Sequence, residues 1–580
     1  MMFVKKKIDK FFHLLHIIFD TSDRRNLLKL IFFMLFGMIF ELFGIGLIFP
    51  ALKLLTNQNF LIKTYDFFGL KELDTISLLI LIVFSFIIFF GVKNLYLWVV
   101  LKKYSNFLAF YEAKLQSLLY KGYFNKSVSY FKEKNSSDII TNVKEISTFF
   151  SSVYLNSLLV VSLEIALQIS ILIMLFYFSW QSTVLIFILF GGLSLIIYKF
   201  HKTRLIELGL IRNKLSASQL RNIQEGIGGI KEIKLLGREL FFLNQFENNT
   251  KKLASANVEN GIIAGTPRLI VEFFAICSVS VTIFLFLFIG KSIIEIIPIL
   301  GLFLLAAYKM IPSFNKILLL MNRIKFSTDG VNRIFNLLEE FKVDYINQEN
   351  KELSKKINFN KQIYLKNISF KYPSREKQIL KNMNLIVKKN SFVGIGGESG
   401  SGKSTLVDIA MGIVKPDEGE IFIDNHSIHN SIDKWQKKIG YVSQNIFLIP
   451  HTIKHNIALG LPDDEIDNDL INEVIKKCSL KKFIDSLELG VNTQIGEGGA
   501  LISGGQQQRI GIARALYNKP QVLFFDEATS ALDMEIEKEI LNEISNLKKE
   551  FTLIFITHRE STLKYCDEKY IIKDGSLIRS

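Results

Sequence analysis

The chain has 580 residues, 49% of them hydrophobic, including 51 Phe, with a mean hydropathy of +0.28 and a net charge of +15. So much apolar side chain excludes an ordinary soluble protein of the roughly four domains this length would allow, and directs attention to membrane spans. The positive charge lies largely beside apolar segments and no aromatic-basic module accompanies it, so it points to membrane topology and away from nucleic acid.

In chain order, Lys5, Lys6, Lys7 and Lys10 precede Phe11, Leu14, Leu15 and Ile18 at helical spacing. This pattern predicts an amphipathic helix at residues 5–20 lying along the cytoplasmic interface. Charges interrupt its apolar face and no small-residue cleavage site follows, which argues against a secretory signal. Six apolar segments then fall at about 27–55, 76–101, 150–180, 183–200, 262–290 and 293–322. Each approaches or exceeds the roughly 20 residues that a helix needs to cross a bilayer.

Segments three and four, and five and six, are joined by a few residues, whereas long basic intervals separate two from three and four from five. Those intervals carry Lys102, Lys103, Lys114 and Lys121, then Lys202, Arg204, Arg212 and Lys214. The positive-inside rule therefore places both intervals and both termini in the cytoplasm. The intervals themselves read as helical, so the spanning helices are expected to run on beyond the bilayer. An apolar stretch at 57–73 either lies in the outer interface or frays from the first span.

Polar residues interrupt the spans: Glu41, Lys93, Glu164 with Gln168, Arg268 with Glu272, and Lys309 with Lys316. A charge at bilayer depth costs about 2.5–3.5 kcal/mol on insertion scales, so these groups should face a bundle interior or an aqueous cavity. Lys93, Arg268, Lys309 and Lys316 are candidate residues of a cavity that receives an anionic group. A structural alternative stands beside that reading: Arg268 can pair with Glu272 at i,i+4, and Lys316 can extend to the interface. The thiols of Cys277, Cys478 and Cys566 have neither metal nor redox spacing.

The spans end near Lys325, and the domain division is read as 1–330 for the membrane part, 331–356 as linker and 357–580 for an α/β part in which short apolar strands alternate with helical patterns. Here Phe392-Val393-Gly394-Ile395 leads into Gly397-Glu398-Ser399-Gly400-Ser401-Gly402-Lys403-Ser404-Thr405, which fits G-x-x-x-x-G-K-[ST]. Glycines let the backbone N–H groups turn inward around a polyphosphate. The lysine reaches the β- and γ-phosphates, and a hydroxyl holds Mg²⁺.

Tyr372 follows a strand, where it can stack on adenine or simply pack. Gln444 lies about 40 residues after the phosphate loop and can reach Mg²⁺ and the attacking water. Ser503-Gly504-Gly505-Gln506 follows Ile502, with Arg509 beyond, and the apolar strand Val522-Leu523-Phe524-Phe525 ends in Asp526-Glu527. Two carboxylates at a strand terminus suit one to organise Mg²⁺ and its neighbour to activate water. Ser530-Ala531-Leu532-Asp533 comes next, and Leu553 to Thr557 places His558 at another strand end, a position where a solitary histidine is more often structural than catalytic.

Together, in this order, these motifs resemble the ATP-binding cassette family over essentially all of 357–580. The resemblance implies that Tyr372 stacks on adenine, that Lys403 and Ser404 bind phosphate and Mg²⁺, and that Gln444 couples the site to the membrane domain. It further implies that Ser503 and Gly505 contact the γ-phosphate, that Asp526 supports Mg²⁺, that Glu527 is the general base and that His558 senses the γ-phosphate. Gln494-Ile495-Gly496-Glu497-Gly498-Gly499 is similar to the exporter cross-linking loop, but Gln494 and Gly498 depart from its usual wording. In the family a signature motif completes the ATP site of a second cassette. One phosphate loop and one signature therefore imply a homodimeric half-transporter with the type IV exporter fold, an all-α six-helix membrane domain followed by an α/β cassette. Ser129 to Asp138 and Glu232 to Glu239 would be its coupling helices.

Pro267 to Glu272, Ala307 to Lys316 and the Glu41-containing span resemble lipid-linked oligosaccharide flippases of the PglK type. That resemblance implies ATP-driven flipping of a polyprenyl-diphosphate-linked oligosaccharide to the periplasmic face of a bacterial inner membrane, with the cassette cytoplasmic. Lys at 93, 309 and 316, where the family can use Arg, supplies charge without the bidentate fork. Export of another amphiphile, such as lipid A, a drug or a peptide, is the alternative, followed by a non-transporting ATPase.

Overall fold

A computed structural model describes residues 21–47, 75–178, 180–288, 293–349, 358–372, 377–529 and 534–580. The helix expected at 5–20, the segment at 57–73 and Asp533 lie outside these residues. The chain divides into two compact units, Met1–Lys126 with Phe131–Tyr345, and Ser127–Tyr130 with Ile346–Ser580.

The first unit is helical throughout its described residues. Helices α1 (Thr21–Gly46) and α2 (Thr75–Phe124) are followed by the short α3 (Val128–Glu133). A helical run from Ser136 contains π-helical stretches at Thr141–Ile146 and Phe150–Leu155 and continues as α4 (Asn156–Phe178). After α5 (Trp180–Gly228) come α6 (Ile230–Leu236), α7 (Glu239–Phe288), α8 (Ile293–Phe326) and α9 (Thr328–Glu349). The 49 and 50 residues of α5 and α7 extend far past their apolar stretches, as the helical pattern of the long intervals predicts.

Among the described residues, Thr21–Gly46, Val83–Phe124 and Ser136–Tyr177 are long and apolar enough to cross a membrane. Large apolar side chains such as Phe32, Phe84, Leu95 and Ile173 face outward, the distribution a lipid solvent selects. Inside, Leu167, Ile171 and Leu175 of α4 pack with Ala306 and Met310 of α8 and with Ile45 of α1. Backbones approach closely at Gly209 of α5, where a Cβ would lie only 2.1 Å from the Phe326 carbonyl oxygen of α8.

The stretch read as the beginning of the linker is not open chain. Residues 331–349 belong to α9, whose Ile334, Phe335, Leu338 and Phe341 are buried at helical spacing, and Phe341 packs edge-on against Tyr123 at 5.0 Å. Gln348 and Glu349 fall within the helix, residues 350–357 lie outside the described residues, and the boundary between the two units falls at 345/346.

In the second unit, β1 (Gln362–Phe370), β2 (Leu380–Lys388), β4 (Glu418–Ile423) and β5 (His426–Ser427) form an antiparallel sheet in the order β2-β1-β4-β5. A second sheet runs β10-β9-β3-β8-β7-β6. It comprises β3 (Phe392–Gly397), β6 (Ile439–Val442), β7 (Val522–Asp526), β8 (Thr552–Ile556), β9 (Glu568–Lys573) and β10 (Ser576–Arg579). All its pairs are parallel except β9 with β10. Strands β7 and β8 are continuous apolar runs because both of their faces are covered, as a parallel sheet requires. The register sets Asp526 beside Ile556, so the ends of β7 and β8 open at one sheet edge next to the end of β3.

Candidate nucleotide site

Three strand ends meet at the site. From β3 the chain passes through the glycine-rich loop into α10 (Lys403–Ala410), and Gly397, Gly400 and Gly402 take φ of 147, 80 and 104°. A Cβ at Gly402 would lie 2.8 Å from Ile379 and Leu380 side chains, so the loop can close on a ligand only with glycine there. Lys403 is 5% exposed, and its Nζ donates to the carbonyls of Gly397 and Glu398, both at 2.9 Å. The Ser401 hydroxyl is buried with no hydrogen-bond partner among the described residues. An orphaned donor, an ammonium drawn back onto its own loop and a turn that excludes Cβ atoms together fit a polyphosphate. The loop also lines a cavity of about 760 Å³ that it shares with Thr557 and His558.

The ends of β7 and β8 supply the carboxylates and the histidine. Ser404 Oγ donates to Asp526 Oδ1 at 3.1 Å. Glu527 has φ of 47°, a left-handed conformation unusual outside glycine, and its N–H donates to the Ile556 carbonyl at 3.1 Å. Three groups converge on its carboxylate: Gln444 Nε2 at 3.3 Å, His558 Nδ1 at 3.4 Å and Lys403 Nζ at 3.7 Å. Burial pushes the Asp526 carboxyl up; the Ser404 hydrogen bond offsets part of this, while Glu527 and Asp408 add to it. A cation held by Ser404, Asp526 and Gln444 would relieve that repulsion, so these residues fit Mg²⁺.

Tyr372 packs edge-on against Phe370 at 4.9 Å and its hydroxyl lies 3.3 Å from Thr405 Oγ1, which places it beside the loop. Beyond α11 (Asn468–Lys477), α12 (Gly504–Tyr517) is capped by Ser503 through a reciprocal box in which Gln506 Oε1 accepts from Ser503 N at 2.9 Å. Among the described residues, no hydrogen bond or ion pair joins Ser503–Gln506 to the Glu527 cluster. Asp533 is not described, and of Arg268 and Glu497 only the backbone is.

Sequence reasoning missed one network that the fold assembles. Buried Glu537 of α13 (Met534–Leu547) accepts from Thr529 Oγ1 at 3.0 Å and Thr562 Oγ1 at 3.3 Å, and pairs with Arg559. It thereby ties the segment after Glu527 to the segment after His558. The acidic position four residues past Asp533 is its only sequence signal.

Of the four cations proposed for an anion cavity, the three whose side chains are described, Lys93, Lys309 and Lys316, are not presented as free charge. Lys309 pairs with Glu41 at 2.9 Å, and Lys316 pairs with Glu164 at 2.8 Å, with Ser313 Oγ donating to the other Glu164 oxygen at 2.6 Å. Lys93 lies 4.6 Å above the Phe90 ring and interacts electrostatically with both Glu41 and Lys309. Sequence spacing had no way to show these pairings, since the partners lie 268 and 152 residues apart.

A helical unit built for lipid, joined in one chain to a sheet that sets a phosphate loop against paired carboxylates, defines a membrane transporter driven by ATP, and the chain belongs to the ABC transporters. Residues 13–310 match the ABC transporter transmembrane region and residues 380–530 match the ABC transporter domain. Among similar proteins is the ATP-dependent lipid A-core flippase of Photorhabdus laumondii subsp. laumondii, 28% identical over 462 residues, which are 78% of this chain and 77% of the relative. The flippase of the same description from Escherichia coli K12 is 26% identical over 464 residues, 78% and 76% of the two chains. The solved structure of a bacterial Atm1-family ABC exporter with ATP bound superposes with a TM-score of 0.74 at 20% identity, covering 96% of this chain and 95% of that one, and thus shares its fold. The fold is that of type IV exporters. These relatives are lipid A-core flippases, which leaves the finer likeness to lipid-linked oligosaccharide flippases unsupported by them.

Proposed function

We propose that the protein is a homodimeric flippase of the bacterial inner membrane that moves a phosphate-bearing glycolipid to the outer leaflet, with its termini and cassettes in the cytoplasm. The observation that carries the ATPase role is the convergence of Gln444, His558 and Lys403 on the Glu527 carboxylate beside Asp526. Glu527 acts as general base on water, Lys403 and Ser401 hold phosphate, and Ser404, Asp526 and Gln444 hold Mg²⁺, whose charge would stabilise the developing negative charge at the phosphoryl group. Ser503 and Gly504 are exposed at the capped start of α12, and the Ser503–Gln506 stretch would complete the site of a second copy.

For the cargo, the membrane unit offers lysines already paired with carboxylates. A diphosphate can exchange with Glu41 and Glu164 for Lys309 and Lys316, so the charges stay compensated with and without substrate. Polyprenyl-diphosphate oligosaccharide is the reading we favour from the sequence around Arg268 and Lys309. Lipid A-core, named in the relatives, has the same plan of phosphate, sugar and lipid anchor and is the second reading. Proteoliposomes containing fluorescent polyprenyl-diphosphate oligosaccharide or fluorescent lipid A test both. ATP-dependent loss of one-leaflet accessibility is expected for the first. Movement of lipid A alone reassigns the cargo, and brisk hydrolysis with neither lipid moved rejects the flippase reading.

A further inference from the structure

Helices α1 and α2 are tied at two levels and part between them. Tyr96 Oη donates to the Phe33 carbonyl at 2.8 Å, and Lys114 Nζ pairs with Asp23 at 2.6 Å. Between these ties is a cavity of about 430 Å³. On α2 it is lined by Lys103, Phe107, Phe110, Tyr111 and Lys114, a run at i, i+4, i+7, i+8 and i+11 that forms one helix face. This face carries a cation at each end and aromatic rings between.

The opposing face of α1 repeats the division. Leu30 and Phe33 extend the apolar wall, and Lys29 adds a third cation. Among the described lining residues Asp23 is the single acid, and Lys114 already takes it up. The remaining charge is therefore positive, carried by the exposed Lys29 and Lys103, with Lys103 Nζ standing 4.1 Å over the Phe33 ring. Two flexible ammonium groups acting as point charges suit a phosphate anion, and the aromatic wall adjoining them suits glycerol and the first acyl carbons.

We propose that this cavity binds the phosphate-bearing headgroup of an anionic lipid at the cytoplasmic ends of α1 and α2. It is distinct from the charged positions deep in the spans: Lys93, Glu41, Lys309, Glu164 and Lys316 contribute nothing to its lining. The side of the membrane rests on the topology proposed above, but occupation of the site does not require transport. A lipid held here wedges between the two helices and links their separation to the composition of the inner leaflet.

The test is binding to the purified full-length protein. Native mass spectrometry should detect retained phosphatidylglycerol, and the combined Lys29→Gln and Lys103→Gln variant should weaken its retention at least about tenfold. Lys102→Gln, whose ammonium lies 5.7 Å over Trp98 outside the cavity, should not change it. Basal ATP hydrolysis should be unaltered in both. A Phe110→Trp reporter, at a position 75% exposed, should be quenched by brominated phosphatidylglycerol more strongly than by brominated phosphatidylcholine. Undiminished phosphatidylglycerol retention in the double variant, or equal quenching by the two lipids, overturns the site. Displacement of phosphatidylglycerol by millimolar inorganic phosphate overturns the lipid assignment and leaves a free-phosphate site. Failure of lipid A or oligosaccharide to be flipped bears on the transport proposal and not on this one.

Discussion

Lys309 Nζ of α8 lies 2.9 Å from Glu41 Oε1 of α1, so the ion pair joins helices whose sequences are 268 residues apart. Glu41 is the more buried partner, and the loss of one member leaves the other charged in a poorly hydrated place. Lys309→Met and Glu41→Gln should each lower the thermal unfolding temperature of the detergent-solubilised protein, and the double variant should recover most of that loss. Additive losses in the cycle would show that the two residues act separately. In proteoliposomes Lys309→Ala should slow flipping more than hydrolysis.

At Glu527 the prediction concerns chemistry. Glu527→Gln retains the shape and the hydrogen bond from Gln444 but removes the base, so steady-state ATP hydrolysis should fall by about a hundredfold or more while nucleotide binding persists. Unchanged turnover would assign the base to another group.

Glu537 touches none of the residues proposed to contact ATP, yet it joins Thr529, Thr562 and Arg559. It thereby links the segment that follows Glu527 to the segment that follows His558, and a positioning role is expected of it. Glu537→Gln should reduce kcat by about tenfold or more, with little change in KM for ATP, because small displacements of a catalytic base are costly while phosphate binding is made elsewhere. A parallel rise in KM would make its role one of general folding.

Asp526 gives a pH signature. Its native carboxyl is pushed above its ordinary value, chiefly by burial, so the folded cassette holds the proton more tightly than the unfolded chain. This contribution to stability is therefore present at low pH and is lost as pH rises from the ordinary value through the raised one. The metal requires the ionised form, so affinity for Mg²⁺–ATP should drop as pH falls through the raised value, more than affinity for ATP measured with a chelator present. In Asp526→Asn that difference in pH response should vanish.

The phosphate loop, the Asp526-Glu527 strand end, Gln444 and His558 were all legible in the sequence. Each is a short local pattern whose meaning comes from a strand or helix terminus adjoining it. The apolar segments read in the sequence include three helices that are, among the described residues, long and apolar enough to cross a membrane, because bilayer thickness imposes length and composition on each helix separately. Charge pairing was not legible in this way. Lys309 and Lys316 read as a basic face because periodicity reports which residues share a helix side and carries no information about the opposite helix.

The sequence by itself determined the class of machine: local backbone chemistry wrote the nucleotide site, and the bilayer wrote the spans. Only tertiary structure decided that the deep lysines are compensated by Glu41 and Glu164, that Glu537 braces the catalytic strand ends, and that Lys29 and Lys103 share a cavity. Those relationships are made across 8 to 268 residues of chain, between side chains that packing brings together.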